Sequence, residues 1–494
     1  MKKIAAKLFA KYINWRNRKW IKNPITTQEN IFRALIKKAS KTKFGIDHDF
    51  ASINNYDDFK SRAPINDYEQ IKPYVDLIIE GKKNVLWPGQ PLFFAKTSGT
   101  TSGVKYIPIT KESMPYHIKS ARDAILNYIL KTGKVDFVTG KQIFIQGSPV
   151  LESINGIPLG RLSGIVAHYV PSYLQKNRMP SWKTNCIENW EEKVDQIVNE
   201  TVDQNMTVIG GIPSWVQMYF EKIITKTGKK VGNQFPKFSL FIYGGVNYEP
   251  YKGLFKNLIG RHVDSIELFP ASEGFFAYQD KSLSNGLLLL VDNGIFYEFI
   301  EAEKFFEADH ERVSLKDVKL HINYVLIIST NAGLWSYNTG DTISFVSNNP
   351  YRIIVTGRIK HFISAFGEHV IGKEVETAIK TVIDQTFVEV REFTVAPQIK
   401  PNSGLPFHEW LIDFRSPPEN IDELSKSLDM EMRKQNIYYD DLIKGKILKP
   451  LVISIVEPHG FENYMKKIGK LGGQNKVPRL SNDRQIADSL LLKA

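Results

Sequence analysis

The sequence predicts an α/β protein with a large N-terminal domain and a small α+β C-terminal domain. Short apolar segments alternate with helical patterns over the first 285 residues, which is typical of α/β layers. Strand patterns with short turns then dominate residues 286–355 and indicate a β-rich subdomain. Beyond residue 357, short strands and helices alternate, so we predict domains over residues 1–357 and 358–494.

Individual elements follow from hydrophobic spacing and from glycine and proline positions. A buried strand at 93–95 precedes a polar loop at 97–103, and a helical stretch at 111–131 stops at Gly133. Pro213 can occupy the first turn of a helix that follows another strand. Further strands are predicted at 239–243, 265–269, 286–300, 319–330, 342–355, 387–396, 408–414 and 450–456, and further helices at 369–382 and 418–435.

Composition limits the classes of function. Of the 494 residues, 42% are hydrophobic and 24% are charged, which excludes a disordered or fibrous chain. Lys and Arg number 65 against 53 Asp and Glu, a net charge of +12 that favours anionic partners such as nucleotides, nucleic acids or membrane surfaces. The single cysteine, Cys186, excludes an internal disulfide scaffold.

Membrane and targeting signals are not apparent in the sequence. The longest aliphatic run, residues 287–291, is far below the ~20 residues of a membrane span. The N-terminus lacks the continuous apolar core of a signal peptide. We therefore expect a cytoplasmic protein.

Residues 1–22 predict a basic amphipathic helix. Eight basic side chains occur there before the first acidic residue, Glu29. Apolar residues recur at helical spacing: Ile4, Leu8, Phe9, Tyr12 and Ile13. We expect this stripe to dock on the protein body, and the alternative is that it lies on an anionic membrane.

The strongest chemical motif is the loop at residues 96–105, KTSGTTSGVK. Five hydroxyl residues and two glycines lie between a buried strand and a helix-forming stretch. Glycines let backbone amides approach an anion, and hydroxyls can donate to phosphate oxygens. The spacing around Lys105 differs from the P-loop of kinases and ATPases. We predict phosphate contact here rather than a plain polar turn.

Other segments contain candidate binding side chains. Glu273, after the strand at 265–269, could hold Mg²⁺ together with phosphate oxygens, although a cap or a turn also explains Ser-Glu-Gly. Asp341 could accept hydrogen bonds from a ribose, although a hairpin turn also explains Thr-Gly-Asp. Arg358, at the predicted boundary, could contact a nucleotide. Lys476 follows a glycine-rich stretch near the C-terminus. Taken alone, the segment that contains this lysine would be interpreted as a solvated basic tail.

In their order and separations, these motifs resemble the adenylate-forming superfamily of acyl ligases and, within it, the GH3 family of acyl-acid amido synthetases. The resemblance covers residues 20–490. The loop at 97–103, with Lys105 and Pro108, is similar to the family's phosphate loop, and residues 269–273 are similar to its Tyr-Ala-Ser-Ser-Glu segment. Residues 294–299, 331–341 and 476–479 resemble three further family segments.

The chain departs from the family pattern at three points. Phe269 stands where the family has tyrosine, which keeps an aromatic ring and loses a hydroxyl. Trp335 and Ser336 replace Tyr-Arg, so no contact of that arginine is carried over to this chain. The chain is also shorter than the plant members, so their substrate-pocket residues are not carried over.

The resemblance implies an ATP-dependent ligase that uses Mg²⁺ and works in two steps. A small-molecule carboxylic acid attacks the α-phosphate of ATP, giving an acyl-adenylate and pyrophosphate. The amine of an amino acid then attacks the acyl carbon and releases AMP. The large N-terminal domain would be the adenylate-forming domain, which binds ATP and the acyl substrate. The small C-terminal domain would be a mobile lid with Arg358 at its hinge.

The resemblance also implies roles for individual residues. Lys476 would be the catalytic lysine and Glu273 the metal ligand. The nucleotide would be bound by Ser98, Gly99, Thr100, Thr101, Gly103, Gly245, Val246, Phe269, Pro270, Ala271, Ser272, Tyr337, Asp341 and Arg358. The acyl substrate would lie near His117, Arg122, Ser163, His168, Trp215 and Met218, although a core or surface role accounts better for each of these six.

Two alternatives stay open. A ligase with another acceptor, such as coenzyme A, would share the adenylation step, and nothing in the sequence identifies the acceptor directly. A basic nucleic-acid or membrane-surface protein would explain the net charge, but no nucleic-acid motif is apparent. We therefore expect no nucleic-acid partner and keep weak peripheral membrane contact through residues 1–22 as a side hypothesis.

Overall fold

A computed structural model describes most of the chain and divides it into two compact units. The described residues are 2–98, 104–171, 175–245, 248, 251–281, 286–307, 310–359, 362–363, 370–444, 447–471, 476–481 and 483–491. Unit 1 comprises Met1–Val246, Leu258–Thr339 and Ile343–Ile354, and unit 2 comprises Asn247–Asn257, Gly340–Thr342 and Val355–Ala494. The functional division into residues 1–357 and 358–494 stays a prediction.

Of the described α-helices before residue 260, five precede the first strand of unit 1, and the others are interspersed with the strands that follow. The helices are α1 (Lys2–Lys22), α2 (Pro24–Ala39), α3 (Lys43–Asp47), α4 (Tyr56–Arg62), α5 (Tyr68–Ile79), α6 (Met114–Thr132), α7 (Leu162–Ala167), α8 (Trp182–Asn185), α9 (Trp190–Thr201), α10 (Pro213–Thr227), α11 (Val231–Gln234) and α12 (Lys252–Ile259). As predicted, α6 ends at Gly133, whose φ of +70° is the left-handed conformation that glycine adopts readily. The predicted position of Pro213 in the first turn of α10 is also confirmed.

Helix α1 docks on unit 1 as predicted, but Ile13 is the one residue of the predicted stripe that is buried. Its buried residues are Ala10, Ile13, Asn17 and Trp20, and the side chains of Arg16 and Asn17 bind the Asp123 carboxylate of α6 at 3.0 and 3.3 Å. The predicted docking of Ile4, Leu8, Phe9 and Tyr12 is wrong, because these side chains are exposed. Ion pairing and an Ala-Ile-Trp face fix the helix instead.

The strands of unit 1 form a four-stranded and a twelve-stranded sheet. Their bounds are β1 (Phe93–Ser98), β2 (Val104–Ile109), β3 (Lys141–Ile145), β4 (Glu152–Ile154), β5 (Ile157–Gly160), β6 (Arg178–Met179), β7 (Met206–Gly211), β8 (Leu240–Gly244), β9 (Asp264–Ala271), β10 (Gly274–Tyr278), β11 (Leu287–Leu289), β12 (Ile295–Glu301), β13 (Val313–Ser314), β14 (Asn323–Thr330), β15 (Tyr337–Asn348) and β16 (Tyr351–Arg358). Residues 340–342 of β15 and 355–358 of β16 belong to unit 2.

The large sheet has the order β13-β12-β14-β15-β16-β11-β10-β9-β8-β7-β3-β6. Strands β6, β3, β7, β8 and β9 are parallel neighbours, as the α/β pattern predicted. The strands predicted as a β-rich subdomain continue this sheet through the antiparallel pairs β9–β10 and β10–β11. Five adjacent parallel strands therefore bring their carboxyl ends to one edge, where α/β proteins commonly bind ligands.

The four-stranded sheet has the order β2-β1-β5-β4 and contains the strand before the predicted phosphate loop. Strand β1 pairs antiparallel with β2, with Thr97 opposite Lys105. The helix predicted at 111–131 is confirmed as α6, but between the loop and that helix lies a strand that the sequence analysis did not predict, Val104–Ile109. Its apolar and β-branched residues fit a half-buried strand that pairs along the whole of β1.

Unit 2 is an α+β unit, as predicted for the C-terminal part of the chain. Its elements after β16 are β17 (Phe362–Ile363), β18 (Val370–Ile371), α13 (Gly372–Thr386), β19 (Val390–Gln398), β20 (Phe407–Phe414), α14 (Ile421–Gln435), α15 (Ile437–Lys444), β21 (Val452–Val456), α16 (Gly460–Lys467) and α17 (Gln485–Leu491). Strands β19, β20 and β21 form one sheet. Its core includes Trp410, Phe393 and Leu428, all buried.

Candidate active site

The carboxyl edge of the parallel strands gathers several of the predicted residues of unit 1. Strand β8 ends at Gly244, which pairs with Leu268 of β9. A side-chain carbon at Gly244 would lie 2.4 Å from the Leu268 carbonyl oxygen, so only glycine allows this close approach. Gly245 follows with φ +83° and is exposed. The predicted Gly245 and Pro270 segments are thus neighbours at one edge.

Glu273 lies in a tight turn at the same edge. Strands β9 and β10 pair antiparallel with Ala271 opposite Gly274, so Ser272 and Glu273 form the connection between them. Ser272 is buried, and Glu273 is half-buried. The turn alternative is therefore correct for the backbone, and it places a carboxylate where a bound ligand could reach it.

The side chains of Phe269 and Tyr337 are buried and are not exposed at a binding surface. Phe269 is buried and packs edge-on against Phe276, with ring centres 5.1 Å apart. Tyr337 is 2% exposed and forms an isolated bridge with Asn66. Their side chains contribute to the core of unit 1, so contact with a nucleotide would fall mainly to neighbouring backbone and to residues 270–272.

The predicted phosphate loop is described only at its two ends. The backbone of Ser98 ends β1, and Lys105 lies on β2 with its ammonium 5.6 Å from the centre of the Tyr68 ring. Gly99, Thr100, Thr101 and Gly103 lie outside the described residues, as does Val246.

Unit 2 brings together Asp341, Arg358 and Lys476. The Arg358 Nε lies 3.5 Å from the Asp341 Oδ1. Gly340 has φ +80°, and a side-chain carbon there would lie 3.0 Å from the Arg358 Nη2, so glycine lets Arg358 lie across this strand. The hairpin-turn alternative for Thr-Gly-Asp is wrong, because residues 337–348 form one strand.

Lys476 has a lowered pKa. The residue keeps an exposed surface, but the atoms crowded around its ammonium desolvate it and lower its pKa to about 8. Asp341 opposes this effect, whereas the positive charges of Arg358 and Arg479 reinforce it. Lys476 is therefore mainly protonated at neutral pH and loses its proton as the pH rises through about 8.

Arg479 anchors the segment that contains Lys476. Its Nε lies 3.3 Å from Glu376, it forms a second ion pair with Glu392, and its side chain is 12% exposed. The Arg479 carbonyl accepts the Val395 amide at 2.9 Å, and the Pro478 carbonyl accepts the Thr394 hydroxyl at 2.7 Å. The family motif Lys-x-Pro-Arg thus ends in a structural arginine, a role that the sequence analysis did not identify.

The six acyl-substrate candidates lie in several places within unit 1. His117 is buried in α6, its Nδ1 has no hydrogen-bond partner among the described residues, and burial lowers its pKa to about 4. Arg122 binds Asp123 at 2.8 Å.

The other candidates lie outside α6. His168 is exposed and its Nε2 lies 2.9 Å from the Pro149 carbonyl oxygen. Trp215 packs against Trp190, whose indole donates to the sulfur of Met218 at 3.4 Å. Ser163 lies on α7 with its hydroxyl buried.

The described side chains place limits on metal and membrane sites. Within the described ranges, no group of three or more His, Cys, Asp and Glu residues is arranged to hold a metal ion. A single carboxylate such as Glu273 nevertheless fits Mg²⁺, which proteins often hold through one or two carboxylates and substrate phosphates. Among the described helices, none has the length and apolarity to cross a bilayer.

Family comparison covers most of the chain. The model of the GH3 family N-terminal domain matches residues 16–185, that of the central domain matches 288–358, and that of the C-terminal domain matches 373–485.

Curated relatives come from Arabidopsis thaliana. Indole-3-acetic acid-amido synthetase GH3.3 is 19% identical over an alignment that covers 94% of this chain and 90% of the relative. 4-substituted benzoates-glutamate ligase GH3.12 is 22% identical, covering 92% of this chain and 93% of the relative.

Solved structures show the same fold. GH3.15 acyl acid amido synthetase superposes with a TM-score of 0.77 at 16% identity, covering 95% of this chain and 93% of that chain. A 2-hydroxyisobutyryl-CoA ligase in the postadenylation state superposes with a TM-score of 0.59 at 11% identity, covering 94% and 90%. At these identities the likeness establishes the fold alone.

Proposed function

The chain belongs to the GH3 family, and on that premise we propose that it is an acyl-acid amido synthetase. It activates a small-molecule carboxylic acid with ATP and releases pyrophosphate, then transfers the acyl group to the amine of an amino acid and releases AMP. The observation that carries the proposal is the grouping in unit 2 of Lys476, whose pKa is about 8, with Asp341 and Arg358.

The residues of unit 2 suit the adenylation step. Attack of a carboxylate on the α-phosphate joins two anions, so positive charge must offset their repulsion. Lys476 supplies that charge as the catalytic residue, because its pKa of about 8 leaves it protonated at neutral pH. Asp341 accepts hydrogen bonds from the ribose hydroxyls, and Arg358 lies beside it.

The residues of unit 1 bind the rest of the nucleotide. Glu273 would hold Mg²⁺ together with phosphate oxygens, and the ion would supply further positive charge there. The phosphates are assigned to Ser98, Gly99, Thr100, Thr101 and Gly103. The adenosine is assigned to Gly245, Val246, Pro270, Ala271, Ser272 and the backbone at Phe269 and Tyr337. Support for these assignments comes from the carboxyl edge, where Gly245 and residues 270–273 are neighbours.

The remaining assignments concern the acyl group, the C-terminal domain and the compartment. We place the acyl group near His117, Arg122, Ser163, His168, Trp215 and Met218. The C-terminal domain is assigned as the mobile part of the enzyme, because closure would protect a hydrolysable adenylate from water. The enzyme is assigned to the cytoplasm, where ATP and amino acids are available.

A pyrophosphate assay tests the function. Purified protein is mixed with ATP, Mg²⁺ and a panel of carboxylic acids, and then with amino acids or with coenzyme A. We expect acid-dependent pyrophosphate release, followed by an amide product with an amino acid. A thioester with coenzyme A and no amide would overturn the choice of acceptor, and release of no pyrophosphate with any acid would overturn the function.

A separate observation favours peripheral membrane contact by α1. Its outer face carries Ile4, Leu8, Tyr12 and Trp15, which are 54–67% exposed. At about 100° per residue, the exposed Lys11, Arg18 and Lys22 lie on the same half of the helix. This combination of apolar, aromatic and basic side chains suits an anionic lipid surface.

Vesicle sedimentation tests this contact. We expect the protein to sediment with phosphatidylserine-containing vesicles more than with phosphatidylcholine vesicles, and the variant Leu8→Gln/Trp15→Ser to lose that difference. Ile46→Gln, which changes an exposed residue outside α1, is the control. Equal sedimentation of the α1 variant and the unaltered protein would refute membrane contact.

A further inference from the structure

Three cationic side chains meet beside the carboxyl end of β3. They are Arg161, Arg178 and Lys193, which we call the cation cluster. Lys193 is 1% exposed, and the two arginines are half-buried. The residues come from the start of α7, from β6 and from α9, all within unit 1.

Uncharged groups hold two members of the cation cluster. The Lys193 ammonium donates to the carbonyl oxygens of Gln146 and Asn185 at 2.9 and 2.7 Å. Arg178 donates to the Ala167 carbonyl at 2.9 Å. In the amide orientation that satisfies its neighbours, the Gln146 side-chain oxygen also accepts from Arg178, at 2.8 Å.

No carboxylate of the described residues forms an ion pair with the cation cluster. The titratable group that faces Lys193, besides Arg161, is the Cys186 thiol. Burial lowers the pKa of Arg161 and Arg178, and it lowers that of Lys193 to about 8. Desolvated positive charge without a counter-charge is costly, so an external anion would stabilise this part of the fold.

A hydrogen-bond donor lies beside the cluster. The Ser163 hydroxyl is buried and has no hydrogen-bond partner among the described residues. A side-chain carbon built on Gly147 would lie 3.1 Å from the Arg161 Cδ and 3.7 Å from the Ser163 Oγ. Arg161 and Ser163 therefore adjoin the same stretch of backbone, directly after β3.

The position of the cluster connects it to the proposed reaction. Strands β3, β7, β8 and β9 are parallel neighbours, so the carboxyl end of β3 lies at the edge that also carries Gly245 and Glu273. An amino acid acceptor keeps a carboxylate that takes no part in amide formation. A substrate with such a spectator carboxylate needs a cation to hold it.

We propose that the cation cluster binds an unreacting carboxylate of a small-molecule substrate, with Arg161 and the Ser163 hydroxyl in direct contact with it. This proposal rests on the amido synthetase function. The carboxylate has two sources, the amino acid acceptor or a second carboxyl group on the acyl acid. Lys193 and Arg178 add positive charge from their fixed positions behind the contact.

The test combines anion binding with kinetics. The variants are Arg161→Leu, the charge-keeping Arg161→Lys, and Ser163→Ala, and Arg33→Leu removes one exposed arginine on α2 as the matched control. Inorganic sulfate should raise the melting temperature of the unaltered protein and of Arg33→Leu, and much less that of Arg161→Leu. This measurement needs no enzymatic activity, so it separates failure of the anion site from failure of the proposed function.

Kinetics identify the source of the carboxylate. Loss of one charge-assisted contact should raise a KM about 10- to 100-fold while kcat changes little, with partial recovery in Arg161→Lys. A higher KM for the amino acid, with unchanged acid-dependent pyrophosphate release, assigns the acceptor. A higher KM for the acid assigns the acyl substrate. Unchanged KM values for both substrates would overturn the proposal, whatever sulfate does.

Discussion

Arg479 and the cation cluster show two contrasting ways of burying positive charge. In unit 2, Arg479 forms ion pairs with Glu376 and Glu392. In unit 1, no described carboxylate pairs with Arg161, Arg178 or Lys193. A cation that the fold itself neutralises serves stability, because removing it would leave buried carboxylates unpaired. A cation without such a partner is available to a ligand.

Lys476 is an intermediate case. It lies in the field of one carboxylate, Asp341, and of two guanidinium groups, Arg358 and Arg479. This balance of charges is consistent with the proposed contact of Lys476 with a ligand, and Arg479 anchors the segment that holds the lysine.

Lys476→Ala should lower the rate of acid-dependent pyrophosphate release about 100- to 1,000-fold, the range for removing one group that stabilises transition-state charge. Its melting temperature should change little, because the anchor at Arg479 remains. Lys467→Ala, on the exposed face of α16, is the control and should keep full activity. Full pyrophosphate release by Lys476→Ala would remove this lysine from the mechanism.

His117 gives a second contrast, because its buried Nδ1 has no hydrogen-bond partner among the described residues and burial favours the neutral imidazole. Its pKa falls from 6.5 to about 4 in the folded state. Below pH 6.5 the imidazole of His117 therefore binds a proton in the unfolded chain but not in the folded chain. The free energy of unfolding falls as the pH drops from 6.5 to 4. The loss attributable to His117 is about 3 kcal/mol.

Urea unfolding of His117→Leu at a series of pH values measures this contribution. Between pH 7 and pH 4, the unfolding free energy of the unaltered protein should fall by about 3 kcal/mol more than that of the variant. A difference that stays constant over this range would show that His117 is not a buried neutral group.

The pH dependence of adenylation gives the smallest effect. Because the pKa of Lys476 is about 8, the rate of pyrophosphate release should fall about tenfold per pH unit above that value. Lys476→Arg should have a lower rate but no such decline, since a guanidinium stays charged. A decline of equal steepness in both proteins would assign the titration to another group.

Local patterns predicted much of the fold correctly. Gly133 ends α6, Pro213 begins α10, and the strands at 240–244 and 264–271 lie where apolar runs end in glycine or proline. These features depend on neighbouring residues along the chain, so the sequence reveals them directly. What local patterns miss is pairing between elements: strand β2 forms because it pairs with β1, the strand that precedes the loop.

The N-terminal helix shows the same limit. Helical spacing correctly predicted α1, but the stripe Ile4, Leu8, Phe9 and Tyr12 faces outward, because Asp123 of α6 binds Arg16 and Asn17 on another side. A carboxylate more than 100 positions away along the chain cannot be inferred from the helix itself.

Motifs in the sequence point to Asp341, Glu273, Arg358 and Lys476 as candidate site residues. No motif points to the cation cluster of Arg161, Arg178 and Lys193. One signal was available: Lys193 occupies a buried position of α9 between Trp190 and Ile197. A lysine at the core spacing of an amphipathic helix needs a polar partner, and here the partners come from Gln146 and Asn185.

The contrast between the two kinds of buried cation is tested by comparing the unfolding free energies of Arg479→Leu and Arg161→Leu. Guanidinium-induced unfolding should show that Arg479→Leu lowers the unfolding free energy by about 3 kcal/mol or more, because Glu376 and Glu392 lose their cation. Arg161→Leu should lose less than about 1 kcal/mol, because no carboxylate is left unpaired. Equal losses in the two variants would contradict the distinction between structural and ligand-binding cations.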